Sequence, residues 1–263
     1  MLFRSGFLMY AISAKAAGAT PVSAPETDLT ADVDALLARV TERTRLVFLA
    51  NPNNPTGSLL AADELHRLRA GLRDDVLLVI DAAYAEYIDD DTYESGQAMV
   101  EAADNVVMTR TFSKIYGLGG LRLGWGYGPP AVVDVLHRVR GPFNVSAPAL
   151  AAGVAAVGDA GFVDRSRDHN TRWRAWTRDR LLALGLAVPQ SAGNFLLVCF
   201  AGTHGRDAVA ADAFLKGRGI IVRRMAGYGL PDCLRISIGL EHEMRAVVDA
   251  LAAFMGRNEE ATA

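Results

Sequence analysis

A chain of 263 residues, 51% of them apolar, is long enough to bury a sizeable core and divides more naturally into two lobes than one. Its formal net charge of -3, with no run of like charges, leaves no electrostatic footprint for nucleic acid or for an anionic membrane surface. The two cysteines, Cys199 and Cys233, lie inside apolar strand-like runs where neither pairing nor metal spacing is implied, which fits a reducing cytoplasm.

The first residues, Met-Leu-Phe-Arg followed by Gly-Phe-Leu-Met-Tyr-Ala-Ile-Ser-Ala-Lys-Ala, could pass for a short signal peptide. Tyr10, Ser13 and Lys15 interrupt the apolar region, and Met9, Ile12, Ser13 and Ala16 keep helical spacing up to Gly18, so a helix is the better reading. An extended piece, Thr20 to Ser23, leads to Thr30 as the N-cap of a helix with Val33, Leu36, Leu37 and Val40 on one face. No window reaches the ~18 apolar residues of a membrane span. Leu46 to Ala50 then reads as a buried parallel strand. It ends in Asn51-Pro-Asn-Asn-Pro-Thr-Gly57, a loop stiffened by two prolines and carrying three asparagines whose amides are offered at the strand end. A plain turn is the alternative for that loop.

After a helix marked by Leu65, Leu68 and Leu72, the apolar run Val76 to Ile80 delivers Asp81 at its carboxyl end, with Tyr84 three residues on. Asp81 either caps the next segment or faces a ligand. A third strand, Asn105 to Thr109, runs into Thr111-Phe-Ser-Lys114-Ile-Tyr-Gly-Leu-Gly-Gly-Leu-Arg122. Lys114 has no charged neighbour in sequence closer than Arg110. It is either a lysine at a loop tip or an amine in a partly desolvated pocket, where burial lowers its pKa from ~10.4 and makes it a nucleophile toward an aldehyde. In the second case Thr111, Ser113 and Arg122 form a phosphate cradle of two hydroxyls and one guanidinium fork. An aldehyde that carries a phosphate describes pyridoxal phosphate. Three strands thus each present a chemical residue just past the carboxyl end, where ligands bind in parallel α/β sheets. A nucleotide reading of the glycine-rich run fails, because Arg122 stands where a dinucleotide fingerprint needs its third glycine and the Gly-Lys-Ser/Thr ending of a P-loop is missing.

Pro129-Pro130 starts a helix carrying Val132, Val135, Leu136 and Val139, and Ser146 caps an alanine-rich one that runs to Gly158. A long helix from Asp164 to Leu184 places Trp173, Trp176, Arg180 and Leu184 on one side, read as interlobe packing. Beyond Gly185, strands over 195–200, 219–223 and 234–238 accompany helices over 208–216 and 241–255. The pattern predicts a smaller α+β lobe over residues 161–263, set against a larger one over 1–160. Arg235 lies on an otherwise apolar strand; a buried guanidinium there either meets a carboxylate or waits for a ligand. The five histidines show no metal spacing, and His242-Glu-Met-Arg lacks the second histidine of a zinc-protease motif.

Taken together, the Asn51–Gly57 loop, Asp81-Ala-Ala-Tyr84, the Thr111–Arg122 run and Arg235-Ile-Ser-Ile-Gly resemble the histidinol-phosphate branch of the class I/II, fold-type I aminotransferases, over nearly the whole chain. The resemblance implies an α/β fold: a mainly parallel sheet flanked by helices in a large pyridoxal-phosphate domain, plus a smaller C-terminal α+β domain. It implies that Lys114 bonds the cofactor aldehyde, that Asn54 and Tyr84 share its phenolic oxygen, and that Asp81 keeps the pyridine nitrogen protonated as part of an electron sink. Phe7 would stack on the ring, and Thr111, Ser113 and Arg122 would hold the phosphate. Arg235 would clamp the substrate anion, a phosphate in this branch, aided by Arg223 or its neighbour Arg224. The implied reaction is ping-pong transfer from an amino donor to 2-oxoglutarate, in a cytoplasmic homodimer with no metal. Aromatic amino acids are a further donor class, and a related lyase such as a phosphothreonine decarboxylase shares every motif. In the family an N-terminal arm and a glycine-rich phosphate loop precede the stacking aromatic, whereas this chain starts almost at that aromatic. The expectation is a chain lacking part of the large domain, with a non-catalytic remnant as the third reading.

Overall fold

The computed structural model describes residues 1–90, 92–200 and 205–256. The chain opens with β1 (Leu2–Phe3), α1 (Leu8–Ala16), β2 (Ser23–Ala24), β3 (Glu26–Thr27), β4 (Thr30–Ala31) and α2 (Val33–Leu37). Next come β5 (Leu46–Ala50), α3 (Ala62–Gly71), β6 (Leu77–Asp81), α4 (Gln97–Ala102), β7 (Val106–Thr111) and β8 (Gly124–Tyr127). The second half runs α5 (Pro130–Val139), α6 (Ala147–Gly158), α7 (Ala160–Ala183), β9 (Phe195–Cys199), α8 (Ala208–Lys216), β10 (Arg223–Arg224), β11 (Cys233–Ser237) and α9 (Glu241–Phe254).

A four-stranded sheet of order β5-β6-β7-β8 carries the first half. Strands β5, β6 and β7 are parallel, and their register sets Ala50 beside Asp81 and Asp81 beside Thr109, so the chemical ends of all three strands open on one edge. One face of this sheet is fully covered: Val47, Leu49, Leu78, Ile80, Val106 and Met108 share it and are buried, together with Leu65 and Leu68 of α3, whereas Phe48, Leu77 and Val79 on the other face are half-buried. The segment with signal-peptide character forms β1 and α1, and Leu2, Phe3 and Tyr10 pack into this same core. β8 returns antiparallel along β7, pairing Thr111 with Gly124. A Cβ at Gly124 would stand 2.9 Å from the Arg110 carbonyl oxygen, so the glycine permits the close return. That is the use of the glycine-rich run, and it brings Arg122 back beside Ser113.

A three-stranded antiparallel sheet of order β10-β11-β9 organises a second core, in which Leu196, Val198, Leu234 and Ile236 pack against Leu181 of α7, Leu215 of α8 and Leu251 of α9. Trp173 and Trp176 belong to this core, with Arg245 of α9 stacked over both indoles, so they pack inside the second layer and not between lobes as the helical pattern suggested. A smaller cluster of Tyr84, Tyr87, Ile115 and Phe195 joins the two halves.

Other sequence expectations are corrected. Thr30 is in β4 opposite Thr27, and Asp32 caps α2 by accepting from the Ala35 amide at 2.9 Å. The long helix starts at Ala160 because Asp159 accepts from the Phe162 amide at 2.9 Å. The strand expected over 219–223 shrinks to β10, since only Arg223 and Arg224 find partners on β11 and Ile221 is exposed. The cysteines, from whose spacing no pairing was implied, stand opposite each other on β9 and β11 and form a disulfide. Among the described residues no single helix is long and apolar enough to cross a membrane, and no group of three or more His, Cys, Asp and Glu could hold a metal ion.

Candidate active site

The loop after β5 is held by two of its three asparagines. Asn51 exchanges hydrogen bonds with Leu60, donating from Nδ2 to the carbonyl at 3.1 Å and accepting from the amide at 2.9 Å. Asn53 donates to Thr56 Oγ1 at 2.8 Å and to Ser5 Oγ at 3.3 Å. Gly57 closes the loop at φ 75°, and a Cβ there would strike Ser191. Its carbonyl accepts from the Ala192 amide at 2.8 Å, which ties the loop to the second half of the chain. Asn54 is left to reach across to β11, where Arg235 Nη1 donates to its Oδ1 at 2.5 Å.

Asp81 ends β6 with both carboxylate oxygens engaged: the Ala83 amide donates to Oδ1 at 3.1 Å and the Tyr10 hydroxyl to Oδ2 at 2.5 Å. Burial pushes its carboxyl up from the ordinary carboxylate range, against the pull of the Tyr10 bond, the Ala83 amide and the Lys114 charge. Tyr84 is buried, its ring edge-on to Phe195 at 5.3 Å, and burial raises its phenol. The Lys114 amine lies 5.2 Å from the Tyr84 ring centre. Burial, then Arg235, lowers its pKa below that of a free lysine, and Asp81 opposes them. The nearest charge in sequence, Arg110, turns to Glu86 at 2.9 Å, so Lys114 shares no ion pair among the described residues.

Beyond Lys114, Ser113 accepts from Arg122 Nη1 at 3.3 Å, and the Ser113 amide donates to Thr111 Oγ1 at 3.0 Å. Arg122 holds a left-handed backbone, φ 52°, which costs a non-glycine residue on the order of 1 kcal/mol and is kept where the surroundings over-determine it. Its second bond, 2.6 Å to the Gly119 carbonyl, fixes the guanidinium beside the two hydroxyls. Arg223 pairs directly with Arg235 across β10 and β11, whereas Arg224 pairs with Leu234. Directly opposed residues share a face, so Arg223 lies on the Arg235 side of the sheet and Arg224 on the other. Phe7 stands at the start of α1 with its ring 5.8 Å from that of Tyr10. Sequence reasoning missed Tyr10; its only signal was that it lies one helical turn after Phe7.

These residues converge from β5, β6, β7 and β11. A cavity of about 550 Å3 opens beside Lys114, lined also by Tyr87, His169, Asn170, Asn194 and Glu243. The model for aminotransferase class I and II matches residues 1–251. The chain belongs to the class I and II aminotransferases. Among relatives of this family, the histidinol-phosphate aminotransferase of Rhodospirillum rubrum is 60% identical over 250 residues, which is 95% of this chain and 68% of that protein. The corresponding protein of Rhodospirillum centenum is 64% identical over 252 residues, covering 96% and 69%. The crystal structure of the histidinol-phosphate aminotransferase from Sinorhizobium meliloti in complex with pyridoxal-5'-phosphate is 30% identical with a TM-score of 0.87, over 97% of this chain and 70% of that one.

The residues of this aminotransferase fit such a cofactor. A buried carboxylate with no ion pair among the described residues, an amine of lowered pKa and an Arg235 whose Nε lacks a hydrogen-bond partner are each costly alone, and the hydroxyl–guanidinium cluster of Ser113 and Arg122 offers donors to an anion. One ligand with a cationic ring nitrogen, an aldehyde and a phosphate answers the carboxylate, the amine and the cluster, and a substrate anion answers Arg235.

Proposed function

We propose that the chain is a pyridoxal-phosphate-dependent aminotransferase that moves the amino group of L-histidinol phosphate to 2-oxoglutarate. The observation that carries the substrate is the pair Arg223 and Arg235, opposed across two strands with no carboxylate in ion-pair contact with either among the described residues. Like charges facing each other cost stability, and a dianionic phosphate offsets that cost better than a carboxylate does. The names of the relatives support the same choice.

Bound at Asp81 and Lys114, pyridoxal phosphate supplies an electron sink for the charge left at the substrate Cα. Lys114 would hold the cofactor through its aldehyde, and its free amine would move a proton to and from the substrate Cα. Asn54 and Tyr84 would orient the ring through its phenolic oxygen, Phe7 would cover one face, Asp81 would keep the ring nitrogen protonated, and Thr111, Ser113 and Arg122 would hold the phosphate. Arg235 is already poised by its bond to Asn54, so the substrate clamp and the cofactor contact form one unit.

The division into lobes at about residue 160 is part of this reading, supported by the two separate cores. So is a homodimer: Val139, Phe143, Val154 and Val157 on and between α5 and α6 are 62–97% exposed, an apolar patch of the kind that partners cover. A cytoplasmic site fits a phosphorylated substrate, although the Cys199–Cys233 bond does not support a reducing compartment.

Purified protein given pyridoxal phosphate, L-histidinol phosphate and 2-oxoglutarate should form glutamate. Phosphothreonine and aromatic amino acids run alongside separate the readings: carbon dioxide from phosphothreonine moves the assignment to a lyase, and silence with every donor leaves a remnant. Arg223→Ala should lower kcat/KM for histidinol phosphate by about 10- to 100-fold, the worth of one charge-assisted hydrogen bond of ~1.5–3 kcal/mol. Arg224→Ala should stay within about twofold, since a side chain on the opposite face makes no such bond. Equal losses in the two variants would show that the register does not select the clamp.

A further inference from the structure

Tyr10 contacts Asp81 although no motif accounts for it. Its hydroxyl donates to Asp81 Oδ2 across 71 residues of sequence, from a helix in a different layer of the fold. The ring has little freedom: it stacks on Phe48 at 4.9 Å and 11°, stands edge-on to Phe7 at 5.8 Å, and the residue is 8% exposed. A phenol buried this far needs a hydrogen-bond partner. Asp81 is the only side-chain partner it has among the described residues.

The groups facing this pair are few. Asp81 meets Tyr10 from α1, the Ala83 amide from the turn after β6, and the Lys114 charge from the loop after β7. Tyr10 meets Asp81, with Tyr84 and Tyr228 further off. Burial and the neighbouring carboxylate both raise the phenol's hold on its proton, so the hydroxyl remains a donor and Asp81 remains the acceptor. A donor to the ionised form of a carboxyl favours that form. With Ala83 on one oxygen and Tyr10 on the other, the carboxylate is also pinned in rotation.

We propose that Tyr10 is the positioning residue for Asp81: its hydroxyl fixes the carboxylate's orientation and weakens its basicity, so that a proton shared with a pyridine-type nitrogen stays on the nitrogen. This rests on the reading that the cofactor's ring nitrogen faces Asp81. A buried tyrosine that only fills space between Phe7 and Phe48 would leave the nitrogen's proton untouched.

The test is the 15N resonance of ring-labelled pyridoxal phosphate bound to the wild-type protein, to Asp81→Asn and to Tyr10→Phe. Wild type should give a pyridinium-type shift and Asp81→Asn a neutral one; Tyr10→Phe should move measurably from the first toward the second. Its kcat should fall about tenfold, the kinetic equivalent of one charge-assisted hydrogen bond, with KM within about twofold. A wild-type shift in Tyr10→Phe overturns the proposal and leaves the role of Asp81 standing. A neutral nitrogen in wild type itself sinks the Asp81 reading instead. Should Tyr10→Phe fail to hold the cofactor, 4-aminophenylalanine at position 10 keeps the ring, the length and a weaker donor. Its shift must then fall between wild type and Asp81→Asn, and a shift identical to wild type overturns the proposal.

Discussion

Lys114→Ala should lower kcat by roughly 10²- to 10⁴-fold, from loss of the proton transfer alone. In the wild-type protein, borohydride should fix the cofactor irreversibly on Lys114, as read by peptide mapping; an adduct on Lys15 or Lys216 would overturn the assignment. The structure gives the experiment a second, independent reading. Lys114 makes no ion pair among the described residues and its ammonium form is disfavoured by burial and by Arg235. Removing it therefore takes away a charge that the fold does not use, and thermal stability should hold or rise slightly, whereas a lysine serving the fold would leave its partners unpaired. The same lowered pKa has a definite sign: the neutral amine persists to lower pH than on a free lysine, so covalent capture of the aldehyde should fade only as pH falls through that depressed value.

What could be read from the sequence was what sits next to itself in sequence. Asn54, Asp81 and Lys114 each follow an apolar run, and three buried parallel strands in sequential order must open their carboxyl ends on one edge, so their convergence was legible before any coordinates. Contacts that depend on register between distant segments were not. Tyr10 meets Asp81 because α1 crosses the end of β6, and nothing in either segment announces the other. Cys199 and Cys233 face each other because β9 and β11 pair with Leu197 opposite Arg235; a shift of one residue would part them. The same register places Arg223, and not Arg224, opposite Arg235.

Local chemistry also outweighed pattern in places. All four residues of β8 are exposed and two of them are glycines, so it shows no strand periodicity, yet backbone pairing with β7 makes it a strand and returns Arg122 to Ser113. Asp32 displaced Thr30 as a cap because its carboxylate is the better acceptor for the Ala35 amide. The loop asparagines looked equivalent in sequence. Only the hydrogen bonds show that Asn51 and Asn53 build the loop and release Asn54 to the site.

Asp81→Asn should cost roughly 10³-fold in kcat while KM changes by no more than a few-fold. The size follows from the environment of the carboxylate. Two unit charges about 4 Å apart attract by ~1 kcal/mol in bulk water and by ~4 kcal/mol at an effective dielectric of 20. At about 1.4 kcal/mol per tenfold the first predicts a loss near fivefold and the second a loss near a thousandfold. Asp81 is bonded to the buried Tyr10, and burial already drives its carboxyl upward, so the larger figure applies. The asparagine keeps the shape and one acceptor, and it relieves the fold of a buried charge; stability should therefore change little while the chemical step fails. A variant that turns over normally would reduce Asp81 to a cap for the Ala83 amide, and a loss of only about fivefold would mean that water reaches the ring nitrogen.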